Sequence, residues 1–571
     1  MGIINTIWKS KLWLLIAIAA LVAINWLASL YNTRIDFTNE KRFTLSAPTK
    51  KVLQKLDDVV QVDVFLKGDF PSGFKKLANS TGEILQEFKE LAGKKLQYRF
   101  ISPDETVDGS NVLWADTLGA LGFYPINLTS QIKEGQQQQN IYPVAFVHYK
   151  ENVLPVMLYQ GKTKAITYPE INSAEAMMEF NFISAIDKLL QKEKPVVGYT
   201  AGNGEPTGYT VEDLVKNTLQ QEYQFYTINP NVQPAIPKEF KVLFIVKPTE
   251  PFSEEAKFKL DQYVMNGGKI IFLLDKLNAE LDSLLQNKKG EVVAYDRGLE
   301  LNDILFKYGA RINPDLVMDL QCDFLPFDVN GNGQFELLPW NYFPVFESKS
   351  NHVINKNLGF VSGRFVNSID TVEAEGIKKT FLLSSSPNSR TIGTPALVSV
   401  LENVNAAENE KFKKANIPVA VLLEGKFRSL FSNRLSQAMN DSLQKIGAVF
   451  MPQCLVDNKM IVVADGDIVL NSVVKGNQAI PMGMNPYTFG SQREFAFANK
   501  KFLQNCLDYL INTSNLTEAK AKDYTLRLLD KKKVESEKTT WQLINILAPV
   551  VLVILFALVF QFIRRRKYTV V

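Results

Sequence analysis

The chain has 571 residues, 46% of them hydrophobic and 22% charged, with 64 basic against 60 acidic side chains for a formal net charge of +4. That length and balance fit two or three folded domains and exclude a disordered chain, and the even mixing of charge leaves no basic stripe for nucleic acid. Cys322, Cys454 and Cys506 cannot all pair, so the alternatives are buried thiols or one bridge such as Cys454 with Cys506, and two histidines, His148 and His352, exclude a histidine-based zinc site.

The first predicted element is an apolar run from Leu12 to Leu30, interrupted mainly by Asn25, and a second run covers Leu543 to Ile563. Each has about the 20 residues that cross a ~30 Å hydrocarbon core. Lys9 and Lys11 before the first run, and Arg564 to Lys567 after the second, place both termini in the cytoplasm. The expected topology is therefore a two-pass inner-membrane protein with its large middle part in the periplasm. A cleaved signal sequence is the alternative for the first run, although its apolar region is long for one and no small-x-small site closes it. No Cys follows it, which excludes a lipoprotein anchor.

After residues 1–35, a first soluble domain is expected over 36–192. Ser46-Ala47-Pro48 opens a helix to Leu56, and Val59 to Leu66 alternates as a strand. Phe74 to Leu91 has the spacing of an amphipathic helix, and Lys95 to Ile101 is a second strand. Asp116 to Leu121 reads as a short helix, Gln136 to Gln139 as a polar loop, Tyr142 to Tyr149 with Val153 to Tyr159 as a hairpin, and Ser173 to Leu190 as a closing helix. This order is that of a thioredoxin-like domain without the redox motif.

A second domain, 193–515, alternates strands (Val196 to Thr200, Gln224 to Ile228, Val242 to Val246, Lys269 to Leu274) with helices at Val211 to Glu222 and after Ser253, and so predicts a doubly wound parallel sheet. Phe381 to Ser384, Pro418 to Leu423 and Met460 to Ala464 rejoin that sheet, and Glu494 to Leu510 is its last helix. Gln321 to Asn367, rich in Pro, Gly, Asn and aromatics, reads as an irregular insertion. A charged helical stalk, 516–540, leads into the second span and basic tail, 541–571.

Three motifs carry candidate chemistry. Gly202-Asn203-Gly204-Glu205, opening the Gly202 to Gly208 turn between a strand and a helix, is placed like a phosphate loop but lacks the Walker lysine and the G-x-G-x-x-G spacing. A plain tight turn is the alternative. Asp465-Gly466-Asp467 ends a buried strand, where ligands of open α/β sheets bind, and its paired carboxylates suit a cation, a polar ligand or acid–base work. Asp328 to Gly333 matches half of a calcium loop, with Pro339 where the twelfth-position Glu should stand. The turn after Val246, where an amidotransferase- or hydrolase-like sheet carries its nucleophile, reads Lys247-Pro248-Thr249, with no Ser or Cys. The residues point to no catalytic constellation and no cofactor.

Several stretches, taken in order, resemble the gliding-motility-associated ABC transporter component GldG of Bacteroidota. They are Lys41 to Ser46, Pro339 to Pro344, Ile417 to Phe427, Ile461 to Asn471, and Leu526 to Lys531 leading into Trp541 and Asn545. His352-Val353-Ile354 departs from the expected His-Pro-Ile. The resemblance implies a degenerate amidotransferase-like domain related to one in an intraflagellar transport protein, and partnership with a GldF-like membrane component and, through it, a GldA-like ATPase. It implies a non-catalytic transporter subunit. The alternatives are a solute-binding receptor with Gly202, Asn203, Gly204, Glu205, Asp465 and Asp467 as its cleft, or a carboxylate-dependent hydrolase.

Overall fold

The computed structural model describes residues 18–26, 44–511 with short breaks (122, 124, 133–134, 160–166, 192, 288, 329–331, 348–349, 357, 401–409, 446, 475–477 and 492), residue 516, and 531–568. The chain forms two compact units, Met1–Asp523 and Tyr524–Val571.

The N-terminal part of the first unit runs α1 (Ala47–Gln54), β1 (Val60–Val64), α2 (Ser72–Ala92), β2 (Leu96–Phe100), α3 (Trp114–Ala120), β3 (Ile126–Ile132), β4 (Gly135–Ile141), β5 (Val144–Tyr149), β6 (Asn152–Met157) and α4 (Tyr168–Leu190). The Ser46 hydroxyl accepts from the Thr49 amide and caps α1. Buried Glu179 on α4 accepts from the Ser46 amide and the Thr49 hydroxyl, both at 2.7 Å, which fixes where the chain enters. The sheet order is β2-β1-β5-β6, with β5 antiparallel to both neighbours. Phe74, Leu77, Leu85 and Phe88 recur at helical spacing on α2 and are buried against this sheet.

One expectation fails here. Gln136 to Gln139 is not a loop but lies in β4, paired antiparallel with β3. Strand identity at such polar positions comes from the partner strand, which local composition does not encode.

The larger part is built on β7 (Val196–Thr200), β8 (Gln224–Ile228), β9 (Phe240–Val246), α5 (Glu254–Met265), β10 (Lys269–Leu273), β11 (Ile377–Ser384), β12 (Pro418–Gly425), α6 (Gln437–Lys445), β13 (Asn458–Val463) and α7 (Asn499–Ile511). Seven strands pair in the order β11-β12-β13-β10-β9-β7-β8. The five from β13 to β8 are parallel, and β12 is antiparallel to both of its neighbours. Along β9, Val242, Phe244 and Val246 face one core, shared with α7, while Leu243 and Ile245 face the other, shared with α5. Both faces are covered, so these strands read as continuous apolar runs.

Gln321 to Asn367 is also more regular than expected. Cys322–Phe327 pairs antiparallel with Glu336–Phe346, which pairs in turn with Val361–Ser362. Pro326, Pro339 and Pro344 interrupt the sequence pattern yet sit in these short pairings beside a register shift, where prolines are tolerated. Trp340, Tyr342, Phe343 and Phe365 form an aromatic core, with the Trp340 ring centroid 5.0–5.6 Å from the other three. The final helix starts at Asn499 rather than at Glu494, whose carboxylate accepts from the Gly490 amide.

The second unit carries α8 (Lys531–Tyr568), of which Ser536–Arg566 is long and apolar enough to cross a membrane. It is the one such helix among the described residues. Ile18 to Trp26 is helical, but the rest of the expected first span lies outside the described residues, as do 517–530 of the expected stalk.

Candidate functional site

Three parallel strands of the large sheet end in charged residues. β9 is followed by Lys247, β10 by Asp275 and β13 by Asp465, each within two residues of the strand's end. Parallel alignment therefore brings them to one edge of the sheet, outside the carboxyl ends of its strands. Lys247 has a left-handed φ of +41°, a conformation that costs a non-glycine residue of the order of 1 kcal/mol or more and that nucleophile turns share. Its Nζ lies 2.7 Å from both Asp467 oxygens and 3.1 Å from Asp275 and Glu280. The backbone completes the cluster. Gly466 N–H donates to Asp275 at 2.6 Å, Asp467 N–H to Asp465 at 2.7 Å, and Arg364 N–H to Asp465 at 2.9 Å. Arg297 closes the rim against Glu280, 3.9 Å from Asp275.

Packing around this cluster leaves little room. A Cβ on Gly466 would stand 2.5 Å from the Lys247 Cβ, and one on Gly363 would stand 2.6 Å from Asp465 Oδ2. Burial, then the neighbouring Asp467 and Asp275, pushes the Asp465 pKa well above the carboxylate range. Burial also raises that of Asp275, against the pull of Lys247. For Lys247 burial works the other way, but Asp275, Asp467 and Glu280 outweigh it and hold the amine protonated. Carboxylate oxygens of Asp275, Asp465 and Asp467 lie within 4.8 Å of one another, a spacing that suits a metal ion. The place a cation would take against Asp275 and Asp467 belongs to the Lys247 ammonium. A protonated amine is no nucleophile.

The glycine turn lies elsewhere on the same edge. It follows β7, separated from β13 by β9 and β10, or about 14 Å at the usual ~4.8 Å strand spacing. Among the described residues no hydrogen bond joins 202–205 to 465–467. The Gly202 and Asn203 amides, placed to cradle an anion, donate instead to Glu205 Oε2 at 2.9 and 2.7 Å. The order β8-β7-β9 makes the β7/β9 boundary a topological switch point. That crevice is stitched shut: Thr249 and Glu250 amides donate to the Asn203 carbonyl, and Asn203 Nδ2 to the Pro251 carbonyl.

The remaining candidates are likewise engaged locally. Asp328 caps its own turn, accepting from the Asn332 and Gly333 amides. Cys506 and Cys454 sit in the cores on opposite faces of the large sheet, and no disulfide joins the three cysteines. Burial pushes the Cys454 thiol up to about 11 and the Cys322 thiol up to about 12. Asp275, Glu280, Arg297 and Arg364 escaped the sequence reading, although the signal used for Asp465, a charged residue just past a buried strand, applies equally to Lys247 and Asp275.

A family model described as an ABC-type uncharacterized transport system matches residues 194–506, and one described as a domain of unknown function matches 39–148. An uncharacterized protein of Borreliella burgdorferi is 20% identical over 415 residues, covering 71% of this chain and 75% of its own length. The solved mmIFT52 N-terminal domain aligns over 56% of this chain and 97% of its own at 13% identity, with a TM-score of 0.29, too distant to carry an argument. The transport-system match alone spans more than half of the chain, from the strand that opens the large sheet to the helix that closes it, and the chain therefore belongs to the auxiliary family of ABC-type uncharacterized transport systems.

Proposed function

We propose that this protein is a non-catalytic, membrane-anchored, extracytoplasmic subunit of an ABC transporter of the GldG type, with a GldF-like membrane component and a GldA-like ATPase as partners. The observation that carries the reading is Lys247. It occupies the strained turn where an amidotransferase-like sheet would place a nucleophile, and it is held there as a cation by Asp275, Asp467 and Glu280. The mostly parallel seven-stranded sheet supports a degenerate amidotransferase-like fold, and the order β2-β1-β5-β6 with antiparallel β5 supports a thioredoxin-like N-terminal domain. The Glu205 carboxylate fills the amide cradle that a receptor would offer to an anionic solute, which speaks against the receptor reading. The C-terminal apolar helix supports anchoring.

Purification of the full chain in mild detergent from its own host tests the proposal. An ATPase and a polytopic membrane protein are expected to co-purify in fixed ratio. A chain that elutes alone under conditions that preserve other transporter complexes would overturn it.

A further inference from the structure

At the other end of the large sheet, where β7, β9 and β10 begin, lies a groove of about 1210 Å³. Its walls are α5, the segment around α6, and the end of α4. The floor is apolar, with Ile236, Phe240, Phe258 and Leu443 buried in it and Met439 and Met451 partly covered, while Val449 on the rim is 79% exposed. Thioether side chains repack easily around a partner.

The rim is basic. Lys55, Lys238 and Lys241 are exposed and have no carboxylate partner among the described residues. Lys269 donates to the Leu510 carbonyl at the end of α7. The acids on α5 are already engaged, Glu254 with Lys257 and Glu255 with Lys259. Burial, and after it the nearby Lys459 and Lys241, lowers the Lys269 pKa.

We propose that this groove docks an amphipathic helix with acidic flanks supplied by a protein partner. A helix with its side chains is about 10–12 Å across and lays its apolar face into such a channel. The volume exceeds the ~1,000 Å³ upper range of small-molecule sites, where a few polar groups converge on one ligand. Here the charges line an open rim, the arrangement that selects a partner by complementary potential. The proposal does not depend on what the carboxyl ends of the strands do.

The test uses the full chain in detergent and three probes. One is a fluorescein-labelled synthetic helix of about 18 residues with leucines at i, i+3, i+4 and i+7 and glutamate flanks. The second is the same helix with lysine flanks, and the third is phosphatidylglycerol vesicles. Saturable binding of the glutamate helix is expected, weakened by salt and at least about tenfold tighter than the lysine helix. Lys238→Glu with Lys241→Glu should reverse that preference while the melting curve stays unchanged. Equal binding of the two helices, no binding of either, unchanged binding by the double variant, or a response to vesicles alone would overturn the proposal.

Discussion

The two ends of the large sheet differ in how their charge is neutralised. At the carboxyl ends, four acids surround Lys247 and Arg297, and almost every donor and acceptor is answered from within the chain. At the amino ends, lysines line an apolar channel in which Glu254 and Glu255 of α5 are already paired. Ligands of open α/β sheets favour the carboxyl ends, yet here that end is closed and the other is open. Position in a fold ranks a site; whether its polar groups are already satisfied decides if it has anything left to offer.

The most direct way to break this contrast is Lys247→Met. Removing the cation leaves buried Asp275 and partly buried Asp467 without their partner, and taking one member from a buried ion pair costs about 3–5 kcal/mol. Urea unfolding should show that loss. A change below about 1 kcal/mol, the worth of an exposed pair, would mean that the carboxyl end is not held closed by charge. Gly466→Ala comes next, at about 1–3 kcal/mol of overpacking, because the new methyl meets the Lys247 Cβ at 2.5 Å. A combination with Lys247→Gly, which removes that Cβ, should recover part of the Gly466→Ala loss, which a double-mutant cycle reads directly.

How much of this was legible beforehand depends on the range of the forces involved. β7, β9, β10 and β13 were readable because strands buried on both faces are apolar throughout and bounded by turns. β4 was not, since nothing in Gln136 to Gln139 announces a partner five to eleven residues away. The pairing of Cys322–Phe327 with Glu336–Phe346 was hidden by prolines that sequence rules treat as strand breakers. At the site, Asp465 and Asp467 were named from one strand's end. Their cation, Lys247, lies 220 residues away in sequence and joins them only through the parallel register of β9, β10 and β13.

Acid–base behaviour sharpens the comparison further. Asp465 has a folded pKa above its unfolded one, so the native state binds the extra proton. Stability then falls as pH rises from about 4, the ordinary aspartate value, toward the raised folded value. Asp465→Asn should flatten that descent. Asp63, on the N-terminal sheet, is the opposite case. Burial pushes its pKa up, but the adjacent His148 and hydrogen bonds from Arg99 and Gln61 outweigh this and hold it well below the usual range. Its contribution is present above pH ~4 and lost on acidification. Asp63→Asn should therefore weaken acid denaturation and leave the Asp465 descent untouched. Equal slopes for Asp465→Asn and the parent chain above pH ~4 would remove the buried carboxyl from the account.

The smallest expected effect lies at the open end. Lys241 is exposed and unpaired among the described residues, so Lys241→Glu should change stability at pH 7 by no more than about 0.5 kcal/mol. Its signature is in alkali. Lys269 is held below its ordinary pKa first by burial, then by Lys459 and Lys241. With a folded pKa below the unfolded one, the native state releases its proton first, and stability rises with pH toward ~10.5 as the unfolded chain follows. Lys241→Glu replaces a repelling charge by an attracting one, so Lys269 should titrate later and that alkaline rise should shrink. Lys247 contributes in the reverse sense, since its raised pKa makes its stabilisation fade only above the unfolded value. Comparing the variant with its parent cancels that shared term. An alkaline rise of unchanged size would mean that the rim lysines do not sense one another, and the groove would lose the gathered charge that sets it apart from the sealed end.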